Sequence, residues 1–134
     1  MPDTDLRILI GADGDIVTAR QEGRRIAAAL NFSPSDLTVI AAAISEVARN
    51  ILTYAGSGEL DIGLVERDGR RGVSIVARDD GPGIADVRLA LQDGYSTSGG
   101  FGLGLPGVRR LMDDFDVLSE VGHGTVVTMC KWAR

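Results

Sequence analysis

The sequence has little of several residue types, and each shortage excludes a class of protein. Its single cysteine, Cys130, cannot form a disulfide within the chain, and no basic segment followed by an apolar one opens the sequence, so we expect a reducing, cytoplasmic setting. No apolar run reaches the ~18 to 20 residues of a membrane-spanning helix, so we expect no membrane contact. Acidic residues outnumber basic ones 19 to 14, for a net charge of −5. Because nucleic-acid binding normally needs a basic excess, we expect protein partners instead.

The length of the chain favours one domain over residues 1–134. A chain of this size buries about two-thirds of its unfolded surface, which is enough for a core without disulfides or metals. We find no internal repeat and no linker-like segment, so nothing in the sequence predicts a division.

Hydrophobic periodicity predicts two helices in the first half of the chain. Asp15 is the expected N-cap of the first helix. Gly23 interrupts that helix at a cost of about 1 kcal/mol relative to Ala, which predicts close packing at this point. Ser33 and Pro34 mark a second helix start, with a capping hydroxyl and then proline at the first helical position. Apolar residues continue at helical spacing to about Ala55.

A two-residue period in other segments predicts strands. These segments are 6–10, 60–64, 73–77, 117–119 and 125–131. Asp68-Gly69 predicts a hairpin turn between the second and third, since a type I′ turn needs positive φ at its centre. We expect a short helix over 86–92, a loop over 93–104 and a helix over 105–112. This order predicts an α+β, two-layer α/β sandwich with an antiparallel or mixed sheet of about five strands and helices on one face.

One glycine pattern points to a fold that the element order excludes. The run from Gly102 to Gly107 matches G-x-G-x-x-G, the dinucleotide fingerprint. It follows a loop rather than a strand and lies too late in the chain to open a βαβ unit, so we interpret the match as accidental. The Walker loop and the motifs of the common protein kinases are also absent from the sequence.

Two segments carry side chains suited to nucleotide chemistry. Glu46 and Asn50 lie one turn apart on the polar face of the second helix, which the apolar stripe leaves free. An amide oxygen is a hard ligand for Mg²⁺, and a carboxylate can accept a proton from an attacking hydroxyl. Asp79 ends a strand before Gly81 and Gly83, where it could accept a hydrogen bond from an exocyclic amine such as adenine N6. Taken separately, a solvated helix face and a plain turn explain the same residues.

A third segment is rich in glycine and hydroxyl groups and leads into a helix. Its backbone amides could therefore bind a polyphosphate. The candidate residues are Ser96, Thr97, Ser98, Gly99, Gly100, Gly102, Leu103, Gly104 and Leu105. A flexible linker is the alternative interpretation of this segment by itself.

The three segments in this order resemble the GHKL, or Bergerat-fold, group of ATP-binding proteins. In that resemblance 46–50 corresponds to the N box, 79–83 to the D-x-G-x-G box, 100–105 to the second glycine box, and Thr125 to the final Thr element. A narrower resemblance joins the chain to the RsbT subfamily of switch-protein kinases. It rests on segments 44–51, 93–100 and 104–113 and on the terminal Lys131-Trp132.

The resemblance implies a protein-serine/threonine kinase that uses ATP and Mg²⁺. It implies STAS-domain substrates in a stressosome-type partner-switching module, and a PP2C-type phosphatase that the released kinase binds and activates. By position, Glu46 acts as general base, Asn50 holds Mg²⁺, Asp79 binds adenine N6, Thr125 supports that contact, and 93–104 forms the ATP lid. The alternatives are an anti-sigma kinase that mainly sequesters a sigma factor, and a nucleotide-gated binding module without significant transfer.

The lid segment departs from that of many anti-sigma kinases in one respect. It has no basic residue between Asp93 and Gly104, where an arginine often faces the γ-phosphate. We expect Mg²⁺, lid amides and lid hydroxyls to meet that charge, with Arg49 or Arg109 as further candidates.

Overall fold

A five-stranded sheet and three helices make up residues 6–83 and 104–133, the part of the chain that the computed structural model describes. In chain order the elements are β1 (Leu6–Ile10), α1 (Asp13–Ala27), α2 (Pro34–Tyr54), β2 (Gly58–Arg67), β3 (Arg70–Asp79), α3 (Gly104–Leu111), β4 (Asp114–Glu120) and β5 (Gly124–Trp132). The helix predicted over 86–92 lies outside the described residues, as do residues 93–103 of the loop predicted over 93–104; Gly104 is the first residue of α3 rather than the last of the loop.

The sheet has the strand order β1-β2-β3-β5-β4, and every pairing is antiparallel. Of the two arrangements expected, antiparallel or mixed, it takes the first. Positive φ at Asp68 (54°) and Gly69 (77°) confirms the predicted turn between β2 and β3. The insertion of β5 between β3 and β4 sets Asp79, the last residue of β3, directly opposite Thr125.

The core is one cluster of apolar side chains between the helices and one face of the sheet, which confirms the two-layer α+β architecture. Its largest fully buried members are Ile10, Ile40, Ile44, Leu60, Ile62, Ile75, Met129, Val47, Val73 and Val108. By length and composition alone α2 could cross a membrane, yet half of its most apolar window is buried inside the domain. The apolar side of α2 is therefore the side of a core helix.

The start of α1 differs from the prediction by one turn. The helix begins at Asp13 with Ala12 at the N-cap, whereas Asp15 was expected there. Asp15 instead lies inside the first turn, where Oδ2 accepts hydrogen bonds from the amides of Gly11 at 2.9 Å and Ala12 at 3.0 Å. A carboxylate three residues into a helix can satisfy these amides by reaching back, which is why its sequence signal resembles that of an N-cap.

The start of α2 is as predicted. Ser33 Oγ accepts a hydrogen bond from the Asp36 amide at 3.1 Å, and Pro34 is the first helical residue. At that position the missing N–H of proline has no intrahelical acceptor to lose. The helix runs for 21 residues to Tyr54 and carries both Glu46 and Asn50.

Gly23 lets α1 and α2 approach closely. A Cβ built on Gly23 would lie 2.1 Å from Ile44 Cδ1 in the core. We expect Gly23→Ala to lower the free energy of unfolding by about 1 kcal/mol, because overpacking costs about 1 to 3 kcal/mol and the gain in helix propensity returns at most about 1 kcal/mol. Gly14→Ala is the matched control, since a Cβ at Gly14 meets nothing within 4 Å. Urea unfolding of both variants tests this, and a stabilised Gly23→Ala would contradict it.

Cys130 is buried in β5. Burial, with a smaller contribution from the Asp114 charge, raises the pKa of the thiol to about 11. At pH 8, three units below this pKa, the thiolate makes up about one in a thousand of the Cys130 side chains, and the thiolate is the form that reacts. We expect Cys130 to react with Ellman's reagent far more slowly in the native protein than in denaturant at pH 8. Equal rates in the two states would contradict this expectation.

Candidate active site

A buried carboxylate lies in the middle of α2. The Glu46 side chain is 2% exposed, and both oxygens accept hydrogen bonds, Oε1 from the Gly104 amide at 2.5 Å and Oε2 from Arg49 Nη1 at 2.9 Å. Proteins tolerate a buried charge when it is paired and hydrogen-bonded in this way. The prediction of a free, solvated face at Glu46 is therefore wrong. The reason is that α3 begins at Gly104 and packs on α2, a long-range contact that helical periodicity does not reveal.

Asn50 lies one turn beyond Glu46 on α2 and is half-buried. Within residues 6–83 and 104–133, no group of three or more His, Cys, Asp or Glu side chains could hold a metal ion. A Mg²⁺ ion that keeps several waters and is bound mainly through substrate phosphates needs only one or two protein ligands. The amide oxygen of Asn50 fits that limited role.

The carboxylate of Asp79 is held at the end of β3 by the turn that follows it. Asp79 Oδ1 accepts a hydrogen bond from the Gly81 amide at 2.9 Å, which fixes the orientation of the carboxylate. A Cβ at Gly81 would lie 2.7 Å from Ala55 Cβ, just beyond the end of α2. The absence of a side chain at Gly81 thus lets the turn pack against the helix that carries Glu46.

A pair of hydroxyl groups lies beside Asp79. Thr125 Oγ1 is 2.8 Å from Ser119 Oγ, and Ser119 Oγ donates to the Gly124 carbonyl at 3.1 Å. Either hydroxyl can be the donor in the contact between Ser119 and Thr125, since each carries one proton and two lone pairs. Ser119 is a further candidate residue that the sequence reasoning missed. The available signal was the pair of predicted strands 117–119 and 125–131, whose register sets Ser119 opposite Thr125.

The turn after Asp79 packs on the turn between β4 and β5. Gly83 has a φ of 79°, and a Cβ there would lie 2.4 Å from the Glu120 carbonyl oxygen. The Gly122 amide donates to the Pro82 carbonyl at 2.9 Å. Gly83, in the segment that corresponds to the D-x-G-x-G box, thus makes a packing contact that holds the two turns together, and its contact with a nucleotide stays a prediction.

The remaining predicted residues fall into two groups. Gly104 lies at the first position of α3 and contacts Glu46, whereas the side chain of Leu105 is buried in the core. Others lie outside the described residues, and their roles stay predictions. They are Ser96, Thr97, Ser98, Gly99, Gly100, Gly102 and Leu103.

Comparisons of sequence add independent information. The profile of the histidine kinase-, DNA gyrase B- and HSP90-like ATPase family matches residues 35–133. The serine/threonine-protein kinase RsbT of Bacillus subtilis (strain 168) is 50% identical over 127 residues, covering 95% of this chain and 96% of that protein. An anti-sigma F factor of Geobacillus stearothermophilus is 31% identical over 111 residues, covering 78% of this chain and 75% of that protein.

Solved structures share the fold at lower sequence identity. The RsbU and RsbW domains of Rv1364c from Mycobacterium tuberculosis match with a TM-score of 0.64 at 20% identity, covering 99% of this chain and 33% of that chain. The mycobacterial sensor histidine kinase MprB matches with a TM-score of 0.56 at 19% identity, covering 98% and 99% of the two chains. At these identities the likeness concerns the fold alone.

Proposed function

The chain belongs to the histidine kinase-, DNA gyrase B- and HSP90-like ATPases and, among them, to the RsbT serine/threonine-protein kinases, and from that membership we propose that it phosphorylates STAS-domain proteins of a stressosome-type partner-switching module. The observation that carries the proposal is the buried Glu46 one turn from Asn50, with the Gly104 amide on its carboxylate. ATP binding follows from the ATPase family, and Mg²⁺ is part of the proposal.

In the proposed reaction, the hydroxyl oxygen of the partner's serine or threonine attacks the γ-phosphorus of ATP. Its proton passes to the Glu46 carboxylate, the bond to the β-phosphate oxygen breaks, and ADP leaves. Asn50 would hold Mg²⁺, which would offset phosphate charge. Phosphoryl transfer depends mainly on positioning and charge stabilisation, which a small domain can supply.

The adenine end of the proposed site is formed by Asp79 and Thr125. The carboxylate of Asp79, held by the Gly81 amide, accepts a hydrogen bond from adenine N6, and Thr125 supports that contact from β5. Backbone amides and hydroxyls of the predicted lid, 93–104, bind the phosphates.

We further propose that the whole chain forms one domain and acts in the cytoplasm, where its lone cysteine stays reduced.

Once its substrate is phosphorylated, the released kinase binds and activates a PP2C-type phosphatase.

To test transfer, the protein is incubated with Mg-ATP and candidate STAS-domain proteins, and the products are mapped by mass spectrometry. We expect one phosphate on a serine or threonine of a STAS partner, with none when Glu46→Gln replaces the wild-type kinase. ATP binding without phosphate on any STAS candidate would contradict the proposal and favour a nucleotide-gated binding module.

Sequestration of a sigma factor is a second candidate function. It is favoured by the anti-sigma F factors, which match at up to 31% identity, although the RsbT relative is far more similar at 50%. Affinity capture with a sigma factor and a STAS protein offered together discriminates the two functions. We expect capture of the STAS protein, and capture of the sigma factor alone would favour the second function.

A further inference from the structure

Arg49 forms an ion pair with Glu46 and has more N–H donors than that pair uses. Arg49 Nη1 donates to Glu46 Oε2 at 2.9 Å, and no other partner of Arg49 is found in residues 6–83 and 104–133. A guanidinium has five N–H donors in a planar fork. The Arg49 side chain is 43% exposed while that of Glu46 is 2% exposed, so the guanidinium extends from the buried carboxylate towards solvent.

The proposed transfer needs a positive charge near this carboxylate. Negative charge is spread over the oxygens of the transferred phosphoryl group, and a cationic side chain commonly meets it. The segment from Asp93 to Gly104 contains no lysine or arginine. The cation must therefore come from elsewhere in the chain or from Mg²⁺ alone.

General reaction distances indicate where a substrate bound at Glu46 would lie relative to Arg49. A general base lies about 2.6 to 3.2 Å from the hydroxyl oxygen that it deprotonates, and that oxygen lies about 3 to 3.5 Å from the phosphorus it attacks. A hydroxyl bound to Glu46 would therefore bring the phosphorus close to the Arg49 guanidinium, whose Nη1 lies 2.9 Å from Glu46 Oε2.

We propose that Arg49 is a further residue of the transfer step: it orients the Glu46 carboxylate and places its remaining N–H donors on oxygens of the transferred phosphoryl group. The inference rests on the proposed kinase function and on Glu46 as the base. Arg109 is the competing candidate. It lies on α3 and is exposed, and Glu46 makes no hydrogen bond or ion pair to it in the described residues.

The test compares Arg49→Gln, Arg49→Lys and Arg109→Gln with the wild-type kinase, using a STAS substrate and saturating Mg-ATP. Glutamine keeps a hydrogen-bond donor but carries no charge, whereas lysine keeps a charge without the planar fork. We expect Arg49→Gln to lower kcat about 100-fold, the typical loss for one stabilising donor, with ATP affinity within about threefold of wild type. Arg49→Lys should recover part of kcat. Arg24→Gln, an exposed change in the last turn of α1, is the matched control.

Other outcomes separate the possible failures. If Arg49→Gln keeps kcat within about threefold of wild type while Glu46→Gln is inactive, this inference is wrong and the proposed function stands. Loss of kcat in Arg109→Gln but not in Arg49→Gln assigns the cation to Arg109 instead. A fall in ATP affinity and melting temperature with kcat unchanged would show that Arg49 acts only in folding. If Arg49→Gln does not fold, Arg49→Lys carries the test, since it retains an ion pair with Glu46. No transfer by the wild-type kinase overturns the proposed function and this inference together.

Discussion

Glu46→Gln should abolish phosphoryl transfer, with kcat lower by about 10² to 10⁴-fold, the range expected for loss of a general base. Glutamine has nearly the same volume as glutamate, so the packing between α2 and α3 is retained. Its carbonyl oxygen can still accept a hydrogen bond from the Gly104 amide, which Glu46 Oε1 accepts at 2.5 Å. The side-chain amide of glutamine cannot, however, take up the proton of the attacking hydroxyl. Single-turnover transfer to a STAS protein measures the effect.

Two further measurements show whether that loss concerns chemistry alone. Titration with a fluorescent ATP analogue should give an affinity close to wild type, because the proposed adenine contacts lie on β3 and β5. Glu46→Asp is the matched variant. It keeps the charge but withdraws the carboxylate by one methylene, so we expect strongly reduced transfer here too. Wild-type rates in Glu46→Gln would refute the assigned base.

Asp79→Asn should weaken ATP binding by about 1.5 to 3 kcal/mol, the usual contribution of a charged hydrogen bond, or roughly 10- to 150-fold in Kd. The asparagine carbonyl can still accept from the Gly81 amide, as Asp79 Oδ1 does at 2.9 Å. The other position then carries an NH₂ group, which faces the exocyclic amine of adenine with donor against donor. Isothermal titration calorimetry measures the change directly.

Binding of inosine triphosphate distinguishes a lost adenine contact from general damage to the site, because general damage would weaken the binding of both nucleotides. The base of inosine triphosphate has an oxygen acceptor where adenine has the amine, so the NH₂ group of Asp79→Asn should favour it. We expect the variant to lose ATP affinity and to narrow or reverse its preference for ATP over inosine triphosphate. Asp80→Asn, an exposed change one residue on, is the control. Unchanged ATP affinity in Asp79→Asn would show that Asp79 does not contact adenine.

Local chemistry made much of the fold predictable. Ser33 and Pro34 are sufficient to start a helix, and Asp68-Gly69 is sufficient to turn a hairpin, because both signals act within four residues. Asp15 shows the limit of such signals, since one carboxylate can satisfy amides either at the N-cap or from inside the first turn.

Long-range packing was not predictable in the same way. The burial of Glu46 depends on Gly104, which lies 58 residues further along the chain. The contact between Ser119 and Thr125 depends on which residues of β4 and β5 pair. Helical periodicity reports the apolar face of α2 but not what covers its polar side. The candidate residues were therefore identifiable one by one, while their hydrogen-bond partners required the structure.

The two halves of the candidate site lie on different layers of the fold. Glu46 and Asn50 belong to α2, whereas Asp79 and Thr125 belong to the sheet. A nucleotide that contacts all four would join helix and sheet, so its binding energy would add to the cohesion of the domain. At a concentration 100 times its Kd, such a ligand adds about 2.7 kcal/mol to the free energy of unfolding. The cellular ATP level would then control how long this kinase survives against proteolysis, as well as how fast it works.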